Sequence, residues 1–353
     1  MTLTLTDETP AAGFERLIRV EAPEAGLRAL ICIHSTVLGP AAGGCRMWDY
    51  PSWEAAREDV QRLAEGMTSK NAMADLGLGG GKSVILGDAG KDKSPEMFRA
   101  FGQAIEALNG RYYTAEDVGI SPDDMAQVAT ETGYAVGLEG GRYGSGDPSP
   151  FTAEGVFQCM RVGAAHVFGS DDLGGRRVLV QGLGHVGYAL AEKLHAAGAR
   201  LLVTDINNEA LARAVRDLGA ENIAPEAVFA QQMDIFAPCA LGAVLNDETV
   251  PKLTAKLVCG AANNQLAHPG IATSLRQRGI RYLPDYVVNA GGIISVAGEI
   301  HKAGPGYRQE RLSGIAARIE AMLKRADDEG RSTTEIAGDM VKEILDAAKR
   351  NVA

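Results

Sequence analysis

One short stretch in the second half of this chain restricts its fold more than any other. Val178-Leu179-Val180-Gln181 is an apolar run of strand length that passes directly into Gly182-Leu183-Gly184-His185-Val186-Gly187. A helical pattern then runs through Leu190 and Leu194 to Gly198, and a second strand, Leu201–Thr204, ends at Asp205, 23 positions beyond Gly182. G-x-G-x-x-G alone is weak in a chain with 43 glycines, and an ordinary glycine-rich turn beside a surface acid is the competing reading. Strand before, helix after and an acid at that distance favour a dinucleotide-binding βαβ unit. Gly182 allows the tight turn, Gly184 lets backbone approach a pyrophosphate, and Gly187 lets helix and strand pack closely. The helix start offers unpaired N–H groups and a positive dipole end to the phosphates. His185 and Val186 lie inside the turn and count as cofactor contacts, with no catalytic role for His185. Asp205 would accept hydrogen bonds from ribose hydroxyls and repel a 2′-phosphate. Ile206, Asn207 and Asn208 supply no arginine to receive that phosphate, so NAD is expected over NADP.

With 353 residues, two domains are expected at roughly 150 residues each. Hydrophobic residues at 46% and charged ones at 23% suit a globular protein with full cores and exclude a disordered or collagen-like chain. A formal charge of −10 argues against nucleic acid or an anionic membrane as partner. The start, Met1-Thr2-Leu3-Thr4-Leu5-Thr6-Asp7-Glu8, shows no secretory signal, and no apolar run approaches the roughly 18–20 residues of a membrane span. The cysteines at 32, 45, 159, 239 and 259 are odd in number and never spaced as CxxC, so reduced thiols in a cytoplasm are expected, with no metal site.

Strands and helices alternate along the chain, which predicts α/β architecture with largely parallel sheets. Ala29–Ile33, Val84–Leu86 and Arg111–Glu116 read as strands. Ser52 is placed to cap a helix with the apolar face Val60, Leu63, Ala64 and Met67. Ser94-Pro95 opens another to about Leu108, with Gly110 past its end. Ser121 to Asp124 resembles a capping box, with Gly133 as the C-cap of its helix. Gly137 to Pro150 holds five glycines and two prolines in 14 positions, which marks a domain boundary. Thr152 is expected to cap a helix from Ala153 to about Val167. Arg311–Asp327 and Thr334–Lys349 show helical periodicity. The domains are therefore 1–143, which the helix at 333–353 would complete, and 151–330.

Lysines mark a second place. Lys70 follows Val60, Leu63 and Met67 at helical spacing, which puts an ammonium on the face expected to be buried. Twelve residues later Lys82 closes Gly79-Gly80-Gly81-Lys82-Ser83, too short for a P-loop. Those glycines would let backbone pass close to a ligand while Lys82 points inward. Two ammonium groups near one another each disfavour the other's charge, which would fit one lysine to act as a base while the other holds a carboxylate. Asp117 is a candidate to shuttle the proton. Spacing alone equally admits solvated surface lysines.

Leu38-Gly39-Pro40-Ala41-Ala42-Gly43-Gly44, Gly66-Met67-Thr68-Ser69-Lys70, Gly79-Gly80-Gly81-Lys82 and Thr114-Ala115-Glu116-Asp117-Val118-Gly119 resemble the glutamate/leucine/phenylalanine/valine dehydrogenases. So do Asp234-Ile235-Phe236-Ala237-Pro238-Cys239-Ala240, Gly260-Ala261-Ala262-Asn263-Asn264-Gln265 and Pro284-Asp285-Tyr286-Val287-Val288-Asn289-Ala290-Gly291-Gly292. The matches run in order from about residue 30 to residue 300 and are most similar to the leucine dehydrogenase branch, then to phenylalanine and valine dehydrogenases. The resemblance implies an N-terminal α/β substrate and catalytic domain, a C-terminal Rossmann NAD domain, a cleft between them, and a homo-oligomer. It implies reversible oxidative deamination of an L-amino acid to a 2-oxo acid with release of ammonia. By that pattern Lys70 holds the α-carboxylate, Lys82 activates the attacking water, and Asp117 assists proton transfer at the amino nitrogen. Asn263 would lie beside nicotinamide and amine and Thr152 at the carboxamide, with Cys239, Ala240 and Ile206 among the cofactor contacts.

In glutamate dehydrogenases a lysine for the side-chain carboxylate stands at the position of Ala42, so an acidic substrate would lack its counter-charge here. Gly43, Met67, Ala115, Ile293 and Val296 complete an apolar pocket, and a leucine- or valine-type substrate is expected. Leucine dehydrogenases usually carry leucine at the Ala42 position. The lost methyl groups enlarge the pocket and favour the alternative, an aromatic substrate such as phenylalanine or tryptophan. Two more distant rivals are a catalytically silent NAD-binding regulator and a 2-hydroxy-acid dehydrogenase. Lys70, Lys82 and Asp117 are all present against the first, and no histidine motif supports the second.

Overall fold

The computed structural model describes residues 2–138, 140 and 146–352. Part of the glycine-rich stretch, and with it the boundary expected at residue 143, lies outside the described residues. The chain divides into two compact units. One is Met1–Asp147 with Ile293–Tyr307 and Val341–Ala353, and the other is Pro148–Gly292 with Arg308–Met340. Residues 293–307, inside the stretch expected for the dinucleotide domain, thus group with the first unit.

In the first unit the elements are β1 (Thr4–Glu8), β2 (Arg16–Ala22), β3 (Leu27–Ser35), β4 (Ala41–Trp48), α1 (Trp53–Met73), β5 (Gly79–Leu86), α2 (Pro95–Glu106), β6 (Tyr112–Glu116) and α3 (Pro122–Ala129). Among the described residues they form one sheet in the order β1-β2-β3-β5-β4-β6. Only β5–β4 and β4–β6 pair in parallel; β1–β2, β2–β3 and β3–β5 are antiparallel, so the expectation of largely parallel sheets fails here. For β1–β2 and β2–β3 the reason is chain length: the links between β1, β2 and β3 hold no crossover helix, which parallel neighbours require. On one face Ala56, Val60 and Ala64 of α1 pack on Leu17, Leu30, Val84 and Leu86. On the other, Phe98, Phe101 and Ile105 of α2 pack on Ile18, Ile31, Met47 and Tyr112.

Ser52 caps α1, its hydroxyl accepting from Ala55 N–H at 3.2 Å, and Ser121 with Asp124 forms a reciprocal capping box at α3. Three local expectations need correcting. Leu63 and Met67 are only half-buried, and Thr68 and Asn71 lie deepest instead. The helix rides on glycines there, and the Asn71 amide donates to the Ala42 carbonyl at 3.2 Å and the Gly79 carbonyl at 2.5 Å. Gly133 caps nothing, because α3 closes at Thr130 in right-handed conformation. Pro150 belongs to a helix rather than to the irregular stretch.

The second unit opens with α4 (Ser149–Phe168), and then β7 (Arg177–Gln181), α5 (His185–Ala196), β8 (Arg200–Thr204), α6 (Asn208–Leu218), β9 (Glu221–Asn222), β10 (Ile235–Pro238) and β11 (Leu257–Val258) follow. After these come α7 (Gly270–Gln277), β12 (Arg281–Tyr282), α8 (Asp285–Val288) and α10 (Tyr307–Glu329), while most of α9 (Gly291–Ile300) and the end of α11 (Thr333–Val352) group with the first unit. Every pairing in the order β12-β11-β10-β7-β8-β9 is parallel. That is the doubly wound order, with its switch point between β7 and β10, where such sheets bind ligands at the carboxyl ends of the strands.

Candidate active site

In the first unit, β5 is buried along its whole length. A Cβ at Gly79 would fall 2.0 Å from the Ser35 carbonyl oxygen, at Gly80 2.1 Å from Thr68 N, and at Gly81 2.8 Å from the Tyr112 ring. These glycines therefore serve close packing inside the fold, which corrects the expectation that they make room for a ligand. Their effect is to carry Lys82, only 6% exposed, into the interior. Asp117 stands just past the end of β6, and Lys82 Nζ lies 2.8 Å from its Oδ2. Gly44 leaves the space for this pair, since a Cβ there would sit 2.9 Å from Asp117 Cβ and 3.1 Å from Lys82 Nζ. Burial pushes the Asp117 carboxyl upward, but the charges of Lys82 and Arg46 outweigh it and hold it down at about 2. It is a carboxylate at any neutral pH. Lys70 is half-buried in the last turn of α1.

Strand register arranges the rest. Ala42 pairs with Gly80 and with Tyr113, and Gly44 with Ala115. Laterally paired residues share a face, as do residues two apart along a strand. Ala42, Gly44, Tyr113, Ala115 and Lys82 therefore lie on one face of the sheet. Ala115 and Val296 form a buried cluster with Val136, against which Ile293, Tyr113 and Ile300 pack. Three of the residues expected to line the pocket are thus together, while Val136, Tyr113 and Ile300 went unnoticed in the sequence. Period-two alternation from Ala115 points to Tyr113. Met67 lies over Gly43, its Cγ 3.0 Å from where a Cβ would stand. Arg46 also went unnoticed: its Nε lies 3.2 Å from Asp117 Oδ2 and its Nη1 3.0 Å from Asp59 Oδ2. The same alternation, counted from Gly44, would have found it.

In the second unit Gly182 has φ +99, and a Cβ there would meet Ala240 Cβ at 2.8 Å. A Cβ at Gly187 would fall 2.0 Å from the Gly182 carbonyl oxygen and 3.2 Å from Cys239 Cβ. The turn thus brings the expected cofactor residues Gly182, Gly187, Cys239 and Ala240 into contact. Gly184 differs: a Cβ there would meet no atom within 4 Å. It is the N-cap of α5 and no side chain caps that helix, so the unpaired N–H groups behind His185 and Val186 face open space. That open cradle fits a pyrophosphate. Asp205 accepts hydrogen bonds from Leu183 N–H through Oδ2 and, at 2.7 Å, from Asn207 N–H through Oδ1. Its orientation is fixed while lone pairs remain for ribose hydroxyls. Ile206 beside it is 96% exposed.

Thr152 is not an N-cap: α4 begins at Ser149, with proline in its first turn, and the Thr152 hydroxyl donates to the Pro148 carbonyl at 3.1 Å. The residue lies against Gly291, where a Cβ would fall 2.6 Å from Thr152 Cα. Asn263 is exposed, and its Oδ1 accepts from the buried Asn289 amide at 2.8 Å, which orients it.

Comparison with known proteins adds independent findings. A family model described as the dimerisation domain of Glu/Leu/Phe/Val dehydrogenase matches residues 14–134, and one described as glutamate/leucine/phenylalanine/valine dehydrogenase matches residues 203–329. A leucine dehydrogenase of Bacillus subtilis (strain 168) is 48% identical over 342 residues, which covers 96% of this chain and 93% of that protein. A phenylalanine dehydrogenase of Bacillus thermotolerans is 45% identical over 347 residues, covering 96% and 90%. Among solved structures, L-tryptophan dehydrogenase from Nostoc punctiforme superposes with a TM-score of 0.85 at 36% identity, over 96% of this chain and 97% of that one.

Proposed function

We propose, from the premise that this chain belongs to the glutamate/leucine/phenylalanine/valine dehydrogenase family, that it catalyses the reversible NAD-dependent oxidative deamination of a hydrophobic L-amino acid to its 2-oxo acid and ammonia. The observation that carries the reading is the buried Lys82–Asp117 pair on the sheet face it shares with Ala42 and Ala115. In this reading the first unit is the substrate and catalytic domain and the second binds the dinucleotide.

The turn at Gly182–Gly187 and Asp205 would hold NAD+, which would supply the acceptor for the hydride of the substrate α-carbon. Lys70 holds the α-carboxylate. Lys82, in its neutral form, removes a proton from the water that attacks the iminium carbon, and the carbinolamine then releases ammonia. Asp117, held ionised, is too weak a base to keep a proton near neutral pH. It accepts hydrogen bonds from Lys82 Nζ and Arg46 Nε and orients Lys82. The Asn289 amide orients Asn263, which supports a role for Asn263 at the amine, and Asp205 supports NAD over NADP. The leucine or valine class is favoured because Ala115, Ile293 and Val296 make an apolar wall with two branched side chains. Ala42 supports the aromatic reading, as does likeness to phenylalanine and tryptophan dehydrogenases. The matched dimerisation domain supports a homo-oligomer. The thiols of Cys32, Cys45, Cys159, Cys239 and Cys259 are free, which supports a cytoplasmic setting, and among the described residues no helix is long and apolar enough to cross a membrane.

NADH absorbance with NAD+ at alkaline pH, over L-leucine, L-valine, L-phenylalanine, L-tryptophan and L-glutamate, tests the reading. Turnover of leucine and valine alone is expected. Preference for the aromatics would give the choice of substrate to Ala42, and five inert substrates would overturn the assignment.

A further inference from the structure

Resting on the amino-acid dehydrogenase reading of the Lys82–Asp117 pair, we propose that Arg46 is a positioning residue of this site, its guanidinium tying Asp117 to the Asp59 carboxylate and so setting where Asp117 meets Lys82. A guanidinium is a planar fork of fixed donors, so two carboxylates bonded to different nitrogens are held at a fixed relation to each other. Here Nε reaches Asp117 Oδ2 at 3.2 Å and Nη1 reaches Asp59 Oδ2 at 3.0 Å. Asp59 is itself held: the Tyr50 hydroxyl donates to Oδ2 at 2.6 Å and Arg62 Nη2 to Oδ1 at 2.6 Å. The position of the Asp117 carboxylate is thus transmitted from α1 through Asp59 and Arg46. Lys82 and Arg46 converge on the same Asp117 oxygen, so removing Arg46 leaves one bond where two crossed and frees the carboxylate to swing.

The other groups that face Asp117 add no competing charge. Cys45 on β4 is pushed up to about 12 by burial, and Tyr112 on β6 is raised by burial as well, so both stay neutral. The Val118 backbone N–H is a further donor to the carboxylate, and the Tyr50 phenol, raised by burial and by Asp59, is neutral too. Lys82 and Arg46 are therefore the cations that hold Asp117 ionised. Loss of Arg46 moves its titration upward.

The test compares the wild type with R46Q, R46K and D59N. For R46Q the expectation is a KM for the amino acid within about two-fold of wild type and a kcat lower by about 10- to 100-fold, the usual scale for misplacing a catalytic group by an ångström. Its acid limb of kcat/KM should move to higher pH, and the Asp117 carboxyl, followed by 13C NMR, should titrate at higher pH. R46K should restore part of kcat, and D59N should shift both readouts in the same direction by less. Wild-type kcat and pH profile in R46Q would overturn the proposal. A kcat loss with the Asp117 titration unmoved would do so too, since that is the mark of a merely structural role. If R46Q fails to fold, R46K and D59N decide by the same readouts. A wild type that oxidises no amino acid would remove the dehydrogenase reading, while the Asp117 titration would still decide what Arg46 does.

Discussion

Gly184→Ala separates what the glycines of the dinucleotide turn do for the fold from what they do for the ligand. Gly184 has φ −63 and ψ −172, a conformation open to alanine, and a Cβ there meets nothing within 4 Å. As an N-cap, alanine is poorer than glycine by up to about 1 kcal/mol. The loss of unfolded-state freedom returns about 0.4–1 kcal/mol. Net stability should stay within about 0.5 kcal/mol, a shift in Tm of no more than about 2 °C. The methyl group, however, occupies the space in front of the unpaired N–H groups of α5. Charge-assisted hydrogen bonds are worth about 1.5–3 kcal/mol each, so losing one weakens binding by roughly 10- to 150-fold. Titration of NADH fluorescence with a melting curve on the same sample reads both quantities. Gly187→Ala is the contrast, because its Cβ would lie 2.0 Å from the Gly182 carbonyl oxygen and the backbone must move, at a cost of about 1–3 kcal/mol. Wild-type NADH affinity in the Gly184 variant would refute the argument, since the open cradle would then not be where the pyrophosphate lies.

Asp117→Asn should alter the acid dependence of stability. The carboxyl titrates at about 2 in the folded chain against an ordinary 3.8, so its ionisation stabilises the fold by about 2 kcal/mol above roughly pH 4–5 and this is lost as pH falls toward 2. The gap in stability between wild type and variant, followed by denaturant melts from pH 6 to pH 2, should narrow on acidification. A constant gap would contradict the assignment. Ile293→Ala removes part of the wall around Ala115 and Val296, and should raise the ratio of kcat/KM for phenylalanine over leucine by about 10-fold, within the 1–3 kcal/mol reach of an apolar pocket. Asp205→Ser removes the negative charge opposed to a 2′-phosphate; the ratio of NADP to NAD use should rise about 10-fold or more in the same absorbance assay.

The dinucleotide turn was legible because each of its glycines answers to a local requirement that a single βαβ unit already contains. The capping box at Ser121 and the cap at Ser52 were legible for the same reason. Gly79, Gly80 and Gly81 misled because glycine weakens a strand and ordinarily signals a bend or a close approach by something else. What comes close is the protein itself, α1 through Thr68 and β3 through Ser35, a tertiary contact that no local rule encodes. Thr152 misled because a proline two residues earlier starts the helix sooner than a hydroxyl cap would. Alternation from Gly44 puts Arg46 on the right face, but its meaning depends on Asp59 on a helix and on Asp117 just past another strand, which no local pattern shows. The grouping of Ala115 with Ile293 and Val296 was reached through family resemblance, since residues so far apart in sequence share no periodicity.

The charges of the first unit make chemical sense together. Lys82, Arg46, Arg62, Asp117 and Asp59 form a connected cluster of three cations and two anions. Desolvation offsets much of the attraction in a buried ion pair, yet the cluster still favours the ionised Asp117 in the folded chain, so it serves the fold as well as the site. In the proposed reaction Lys82 acts without its proton. The cluster then holds Arg46 and Arg62 against Asp117 and Asp59, one positive charge fewer than before. Hydride loss leaves the substrate nitrogen in a cationic iminium, so the site carries one positive charge fewer at the stage where the substrate becomes positive. A preorganised change of this kind lowers the barrier without moving any dipole at the moment of reaction. Asp117 has to remain a carboxylate for this, and the Arg46 guanidinium beside it lowers its pKa with or without a proton on Lys82.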